Sequence, residues 1–500
     1  MARGTPSEFG FFGGGLNTAD GPYRLIEPYF YRHKWWGGES RGLLNVVSRH
    51  RGNVSKRNGC LRLVNDATRT YKDLSIVGNG SSSFAVCSST AGGMVAIASN
   101  YAVTQLLAAA SVSTTAPWTF LRMPVIGAQG PAYGMNGTDT PRRTDGTLAG
   151  TGTWTAVSGT LPNGTLMAYH DNTLWVAGVA ATPYSIFWSS LGDPTGWPAA
   201  NVTKFNPDDG LPITALRSTG SYLLVFKERG IWSVYNSETS ANRKFTDNIG
   251  TISPRSVVAT PEGTFFLDPQ FGVHITDGST VRRIGESIQP TLDQITDPDL
   301  ANVTAAYVNG HYYMSAKVSG VQLILDYDTE LNSWWIHSPT VAQLATWDRG
   351  ADPDLMGLVT GTGDIWHMFK DGEIRDNGTI FESYWSGPFH AFGAPNLRKR
   401  VNEVHIDARG KMDVYVATDY AAFNGALEAS GVNFSPNDKL FGGAGTFGGL
   451  QGTFGGGGQI GEGWLYTLGV ARSWSFTFYN ATDDHFEVDG YTINASPRKD

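Results

Sequence analysis

Two short groupings in this sequence carry residue types whose spacing suits catalysis. Gly38-Glu39-Ser40-Arg41-Gly42 has the G-x-S-x-G spacing of serine hydrolases. In that motif a sharp strand-to-helix turn exposes the serine and aims helix N–H groups at an oxyanion. No helix-forming stretch follows Gly42, and a chain with 62 glycines produces such matches by chance. Ser40 is therefore expected in a glycine-rich loop, and the chain is expected not to be an enzyme. Asp326 and Asp328 stand two apart in Leu325-Asp326-Tyr327-Asp328-Thr329-Glu330. On a strand both carboxylates face the same side, as a glycosidase acid and base could. The stronger expectation is structural: the pair ends a strand and opens the turn into Asn332-Ser333-Trp334-Trp335, accepting backbone hydrogen bonds.

A third grouping could bind rather than react. Arg41, Arg49, Arg51, Lys56, Arg57 and Arg62 occur with no acidic residue between Ser40 and Val64, in a chain of net charge −8. The plain expectation is a solvated strand pair. The functional one is a basic face that meets DNA phosphates or an acidic partner subunit through guanidinium hydrogen bonds. Arg398-Lys399-Arg400 is too short to add to it. The acidic balance excludes a protein that coats nucleic acid, which needs clustered cations to displace counterions. Any DNA contact is local. The 10 histidines lack ligand spacing, and no Walker A, H-E-x-x-H or EF-hand pattern occurs, so neither metal nor cofactor is expected. Cys60 and Cys87 are too few for a disulfide framework and read as reduced thiols. Sequons such as those at Asn136 and Asn201 read as turn chemistry.

The elements that position these residues are strands. Turn dipeptides punctuate the chain: Asn136-Gly137, Asn163-Gly164, Asn309-Gly310, Asn377-Gly378, Asp145-Gly146, Asp277-Gly278, Asp371-Gly372 and Asp489-Gly490. Such pairs favour the positive-φ turns of β-hairpins. Between turns lie β-branched and aromatic runs such as Tyr222-Leu223-Leu224-Val225-Phe226 and Gly230-Ile231-Trp232-Ser233-Val234-Tyr235. The hairpins recur at Asp171–Val176, Gly220–Tyr235, Glu262–Leu267, Asn309–Met314 and Gly363–Trp366, roughly 40 to 55 residues apart, near the period of a propeller blade. Ser83–Gly146 has room for one or two more. The expected fold is all-β, a β-propeller-like core of five to seven blades with a small C-terminal β-domain. The expected divisions are 1–62, an N-terminal arm with the basic segment; 63–395, the propeller; and 396–500, a β-domain carrying the glycine-rich loop 441–463. In that loop Phe441, Phe447, Leu450 and Phe454 could dock a neighbouring subunit. One helical signal, Gly285–Ala305, reads as a connector broken by Pro290. No apolar run approaches the ~20 residues that span a bilayer, and the N-terminus lacks an apolar signal core.

Gly14-Gly15-Leu16-Asn17-Thr18, then Gly38-Glu39, Asn45-Val46 and Lys56-Arg57-Asn58-Gly59, resembles the opening of tail hub and nozzle proteins of short-tailed bacteriophages. Ile186-Phe187-Trp188-Ser189-Ser190-Leu191-Gly192-Asp193-Pro194, Asp208 through Leu216, and Leu224-Val225-Phe226 are similar to the core of that family. Ile252 through Val258, Phe265-Phe266-Leu267 and Gly272-Val273 are similar to the blade that follows. Taken in order, these stretches span about residues 14 to 420; the glycine-rich loop and later strands lie outside them. The resemblance implies a β-propeller subunit of a homo-oligomeric, commonly hexameric, ring in the virion tail, assembled in the host cytoplasm. It implies a conduit for genome ejection with transient DNA contact. The implied neighbours are a portal or adaptor, other tail proteins, and tail fibres or spikes. No catalytic motif comes with it. The alternative expectation is a carbohydrate-binding or glycan-cleaving propeller, using stacked aromatics and Asp326/Asp328; a secreted lectin-like protein is a third.

Overall fold

The computed structural model describes all residues except 1–6, 10–11, 21–23, 26–28, 32–33, 37–38, 49–51, 79, 81–82, 124–130, 145–153, 158–159, 236–241, 351, 393–395, 419–460 and 498–500. Only the backbone is described for Ser7–Phe9, Tyr29–Tyr31, Lys34–Trp36, 461–469 and 497. The chain forms two compact units. One comprises Arg62–Ile324 and Thr340–Met368; the other comprises Met1–Leu61, Leu325–Pro339 and Phe369–Asp500.

The first unit is a propeller. Among the described residues, seven four-stranded antiparallel sheets follow one another along the chain, beginning at Ser75–Val77, Thr119–Arg122, Leu166–His170, Ile213–Ser218, Val258–Thr260, Thr304–Val308 and Val341–Trp347. These seven first strands lie side by side in order, and the last returns to the first, so the ring is closed. The seventh sheet takes its outermost strand, Leu61–Asn65, from the other end of the chain. That strand latches the ring without a covalent bond. Gly285–Ala305 is the connector between the fifth and sixth sheets and holds the short helical turns Glu286–Ile288, Gln289–Leu292 and Asp297–Leu300.

The apolar runs are unbroken because each blade is buried on both faces. On Leu223–Lys227, Leu223 and Val225 join Trp175, Ile186 and Trp232 in the core shared with the third blade. Their neighbours Leu224 and Phe226 turn the other way and join Ile231, Val257 and Phe266 toward the fifth. A period of two with both faces covered yields a continuous hydrophobic string. Each such side chain contributes about 1.5–3 kcal/mol on burial. Asn309-Gly310 turns the hairpin between Thr304–Val308 and His311–Val318 with φ of 50° and 85°, the geometry its dipeptide favours.

The second unit packs two sheets face to face. One runs Gly461–Ala471, Lys399–Gly410, Phe486–Pro497, Val54–Lys56, Val46–Val47, with Ser7–Phe9 also pairing to Phe486–Pro497. The other runs Asp413–Thr418, Trp474–Asn480, Ser383–Ser386, Gly42–Leu44. Phe476 and Phe478 from the second sheet meet Tyr491 from the first at ring-centroid distances of 5.4 and 5.8 Å. Phe12 lies edge-on to Trp385 at 4.8 Å. The stretches 1–62 and 396–500, separate in the sequence reading, thus share both sheets, and Phe369 onward belongs with them. Local sequence carries no record of a pairing such as Val488 with Val54. The loop 441–460 with its four apolar residues lies outside the described residues, as do the side chains of Tyr23, Tyr29, Phe30, Tyr31, Trp35 and Trp36.

Candidate functional site

The basic run does not form one outward face. Asn45, at φ 55°, turns the chain from Gly42–Leu44 into Val46–Val47, whose hairpin partner is Val54–Lys56. Lys56 is 1% exposed. Its Nζ donates to Asn480 Oδ1 at 3.0 Å and to the Thr482 carbonyl at 2.6 Å, and sits 4.5 Å from the Phe381 ring centre. Burial first, and the neighbouring Arg57 charge second, lower its pKa to about 8 against the opposing pull of Asp483, Asp376 and Asp484. Arg57 is 2% exposed. It grips Asp376 with both terminal nitrogens, donates from Nε to Asn45 Oδ1 at 2.8 Å and from Nη1 to the Asn58 carbonyl at 2.7 Å, and lies 3.8 Å from the Phe381 ring.

Arg41 stacks 4.8 Å over Phe389, and burial lowers its pKa. Arg62, exposed on the latch strand, pairs with Asp364 at 3.5 Å. Arg49 and Arg51 lie outside the described residues. The absence of acids within the run therefore misleads for Lys56 and Arg57. Their counter-groups, Asn480, Thr482 and Asp376, come from the far end of the chain.

Ser40 is fully buried on Glu39–Ser40, which runs parallel to Gly15–Leu16 and leads into another strand instead of a helix. Its Oγ donates within 2.8 Å of the Gly42 carbonyl and 2.9 Å of the Ser386 carbonyl. Asp328 does what a turn carboxylate does: its Oδ1 accepts the Glu330 and Leu331 N–H groups at 2.8 and 3.0 Å. Asp326 is fully buried and meets His337 Nε2 at 3.2 Å. His337 belongs to no motif in the sequence, although it stands on Ser333–His337, the strand after the turn that Asp326 and Asp328 open.

In the propeller, Asp73 receives the Ser88 N–H at 2.6 Å and the Trp118 N–H at 2.8 Å, tying the first blade to the second. Arg255 donates to the Trp118 carbonyl at 3.2 Å. Arg255 precedes the fifth blade and Trp118 the second; these are not neighbours in the ring, so the bond crosses the propeller axis. A cleft of about 480 Å³ beside the fourth blade is lined by Asn206, Asp209, Leu211, Glu228, Arg229, Lys244 and Asp247. Its charges pair internally: Asp209 with buried Lys227 at 2.7 Å, Glu228 with Arg229 at 3.6 Å, Asp247 with Lys244. Trp118, Trp154, Trp175, Trp334, Trp335, Trp347, Trp385 and Trp474 are fully buried, so none of these offers a face to a sugar. Among the described residues no group of three or more His, Cys, Asp or Glu is placed to hold a metal, and no helix is long and apolar enough to cross a membrane. Cys60 and Cys87 are free and buried, and burial pushes both thiols up.

No protein-family model and no curated protein matches the chain. Among solved structures it is similar to Raptor of Chaetomium thermophilum, with 11% identity and a TM-score of 0.41 over 63% of this chain and 29% of that one. It is also similar to the WD40 repeats of RRP9, with 8% identity and a TM-score of 0.41 over 63% of this chain and 99% of that one. The chain thus spans less than a third of the Raptor chain.

Proposed function

We propose that this chain is a structural subunit of a bacteriophage tail, of the hub or nozzle kind. The observation that carries the reading is the work done by the residues that resemble that family. Gly15, at φ 64°, lies so close to Trp334 that a Cβ would stand 2.7 Å from its carbonyl oxygen. Asn17 Oδ1 accepts the N–H groups of Ala19 and Asp20 at 3.1 Å each. Asn45, Lys56 and Arg57 are buried anchors. A Cβ on Gly59 would meet the Arg375 carbonyl oxygen at 2.1 Å. Asp193 folds its own turn by accepting the Thr195 N–H at 2.9 Å. Each of these residues builds the fold, as expected where the product is an assembly and not a reaction.

The conduit in this reading lies between copies of the chain. Arg255 and Trp118 bridge the axis of the single propeller, which leaves that axis unsuited to a passing duplex. A homo-oligomeric ring, hexameric in the resemblance, supplies the passage and the platform for portal or adaptor, fibres or spikes. DNA contact is brief and salt-sensitive, in keeping with a net charge of −8. Electron microscopy of the purified chain, with antibody labelling of virions, tests the proposal. Closed rings and label at the tail are expected; monomers that bind glycans, with no label on virions, would replace it with the carbohydrate reading.

A further inference from the structure

Lys56 and Asn480 together have the parts of an amide-forming site. Both are buried, at 1% and 2% exposure, and the Lys56 Nζ lies 4.5 Å from the centre of the Phe381 ring. The Lys56 Nζ stands 3.0 Å from the carboxamide oxygen, one bond from the carbon it would attack. That oxygen also accepts the backbone N–H of Thr482 at 3.1 Å, a donor fixed where negative charge would develop. The amide nitrogen donates to the Lys411 carbonyl at 2.6 Å, which holds the plane of the group, and to Thr482 Oγ1 at 3.0 Å. Thr482 Oγ1 in turn donates to Asp484 Oδ2 at 3.4 Å.

We propose that Lys56 and Asn480 become joined by an isopeptide bond once the unit has folded. The neutral lysine amine attacks the Asn480 Cγ, so the Nζ–Cγ bond forms. The Cγ–Nδ2 bond then breaks, and the proton lost from Nζ passes to the leaving nitrogen, which the Thr482 hydroxyl holds at 3.0 Å. One ammonia departs; nothing is oxidised or reduced, and no co-reactant is needed. Desolvation supplies the nucleophile, since a lysine pKa lowered to about 8 leaves a neutral fraction at neutral pH far above that of a free lysine. The product ties Val54–Lys56 to Trp474–Asn480 across 424 positions. Both ends of the chain are then held by a covalent link that pulling cannot slip, a useful property in a part that bears load.

The test is the intact mass of the purified full-length chain under denaturing conditions. The expected value is the sequence mass less one ammonia, with a digest fragment in which the Lys56 peptide is joined to the Asn480 peptide. Lys56→Gln keeps a hydrogen-bond donor but removes the nucleophile, and should restore the full sequence mass. An unshifted wild-type mass overturns the proposal. So does an ammonia loss that survives in Lys56→Gln, which would mark a succinimide at Asn480.

Discussion

Arg57 and Asp376, 319 positions apart in the chain, meet in a two-pronged ion pair at 2.9 and 2.5 Å. The arginine is almost wholly buried, and the ring of Phe381 covers its guanidinium at 3.8 Å. A buried guanidinium tolerates this place only while its partners remain. Asp376→Ala is expected to destabilise the terminal unit by about 3–5 kcal/mol. Asp376→Ala combined with Arg57→Met should cost clearly less, since no charge is then stranded. Denaturant unfolding of the three variants checks this; equal losses in single and double variants would contradict it.

Asp66 ties the acid stability of the propeller to one turn. Burial raises its pKa, but hydrogen bonds from the Thr68 hydroxyl and N–H, Tyr71 and Arg69 outweigh that and hold it well below the usual carboxylate range. The folded state therefore favours the ionised form. Its contribution is full above the unfolded value of about 3.9 and fades as pH falls through the lower folded value. The stability gap between wild type and Asp66→Asn should be constant near neutral pH and shrink in acid, as read by denaturant titrations at stepped pH.

The latch strand is exposed to a sharper test. Val64 is 3% exposed and packs with Ile97, Trp347 and Ile365. Val64→Asp places a carboxylate among apolar side chains, where burying its charge is costly. Hydrogen exchange should then quicken first in Asp364–His367, which Leu61–Asn65 neighbours in the seventh sheet, before the third and fourth blades respond. Uniform acceleration over all blades would mean that the ring opens elsewhere.

Gly15→Ala combines two penalties. A left-handed backbone costs a residue with a Cβ about 1–2 kcal/mol, and the added methyl would stand 2.7 Å from the Trp334 carbonyl oxygen. A loss above that figure in thermal or denaturant unfolding is expected. A neutral result would show that the N-terminal strand shifts freely.

Ser40→Ala separates structure from catalysis. The substitution removes the donor from the Gly42 and Ser386 carbonyls, at a cost of about 1–3 kcal/mol. Stability should fall while no ester or glycan turnover is lost. A turnover present in wild type and absent from this variant would restore the hydrolase reading.

Much of the architecture was legible because it is local. Leu223-Leu224-Val225-Phe226 reads as one of a pair of antiparallel strands, Asn309-Gly310 as its own kind of turn, and the spacing of such hairpins as blades. Asp328 acts within three residues of itself, so its role could be read from the line of the chain. The basic run could not. Charge along a sequence says nothing of which side chains will be enclosed, and Lys56 and Arg57 are enclosed by residues more than 300 positions away. The same holds for the joined termini, where Val54 pairs with Val488, and for Arg255, whose partner lies 137 positions back. Periodicity is imposed by backbone geometry over a few residues, and the sequence by itself determines it. Burial, counter-charge and reactive proximity arise only when distant strands share a sheet, and the tertiary structure decides them.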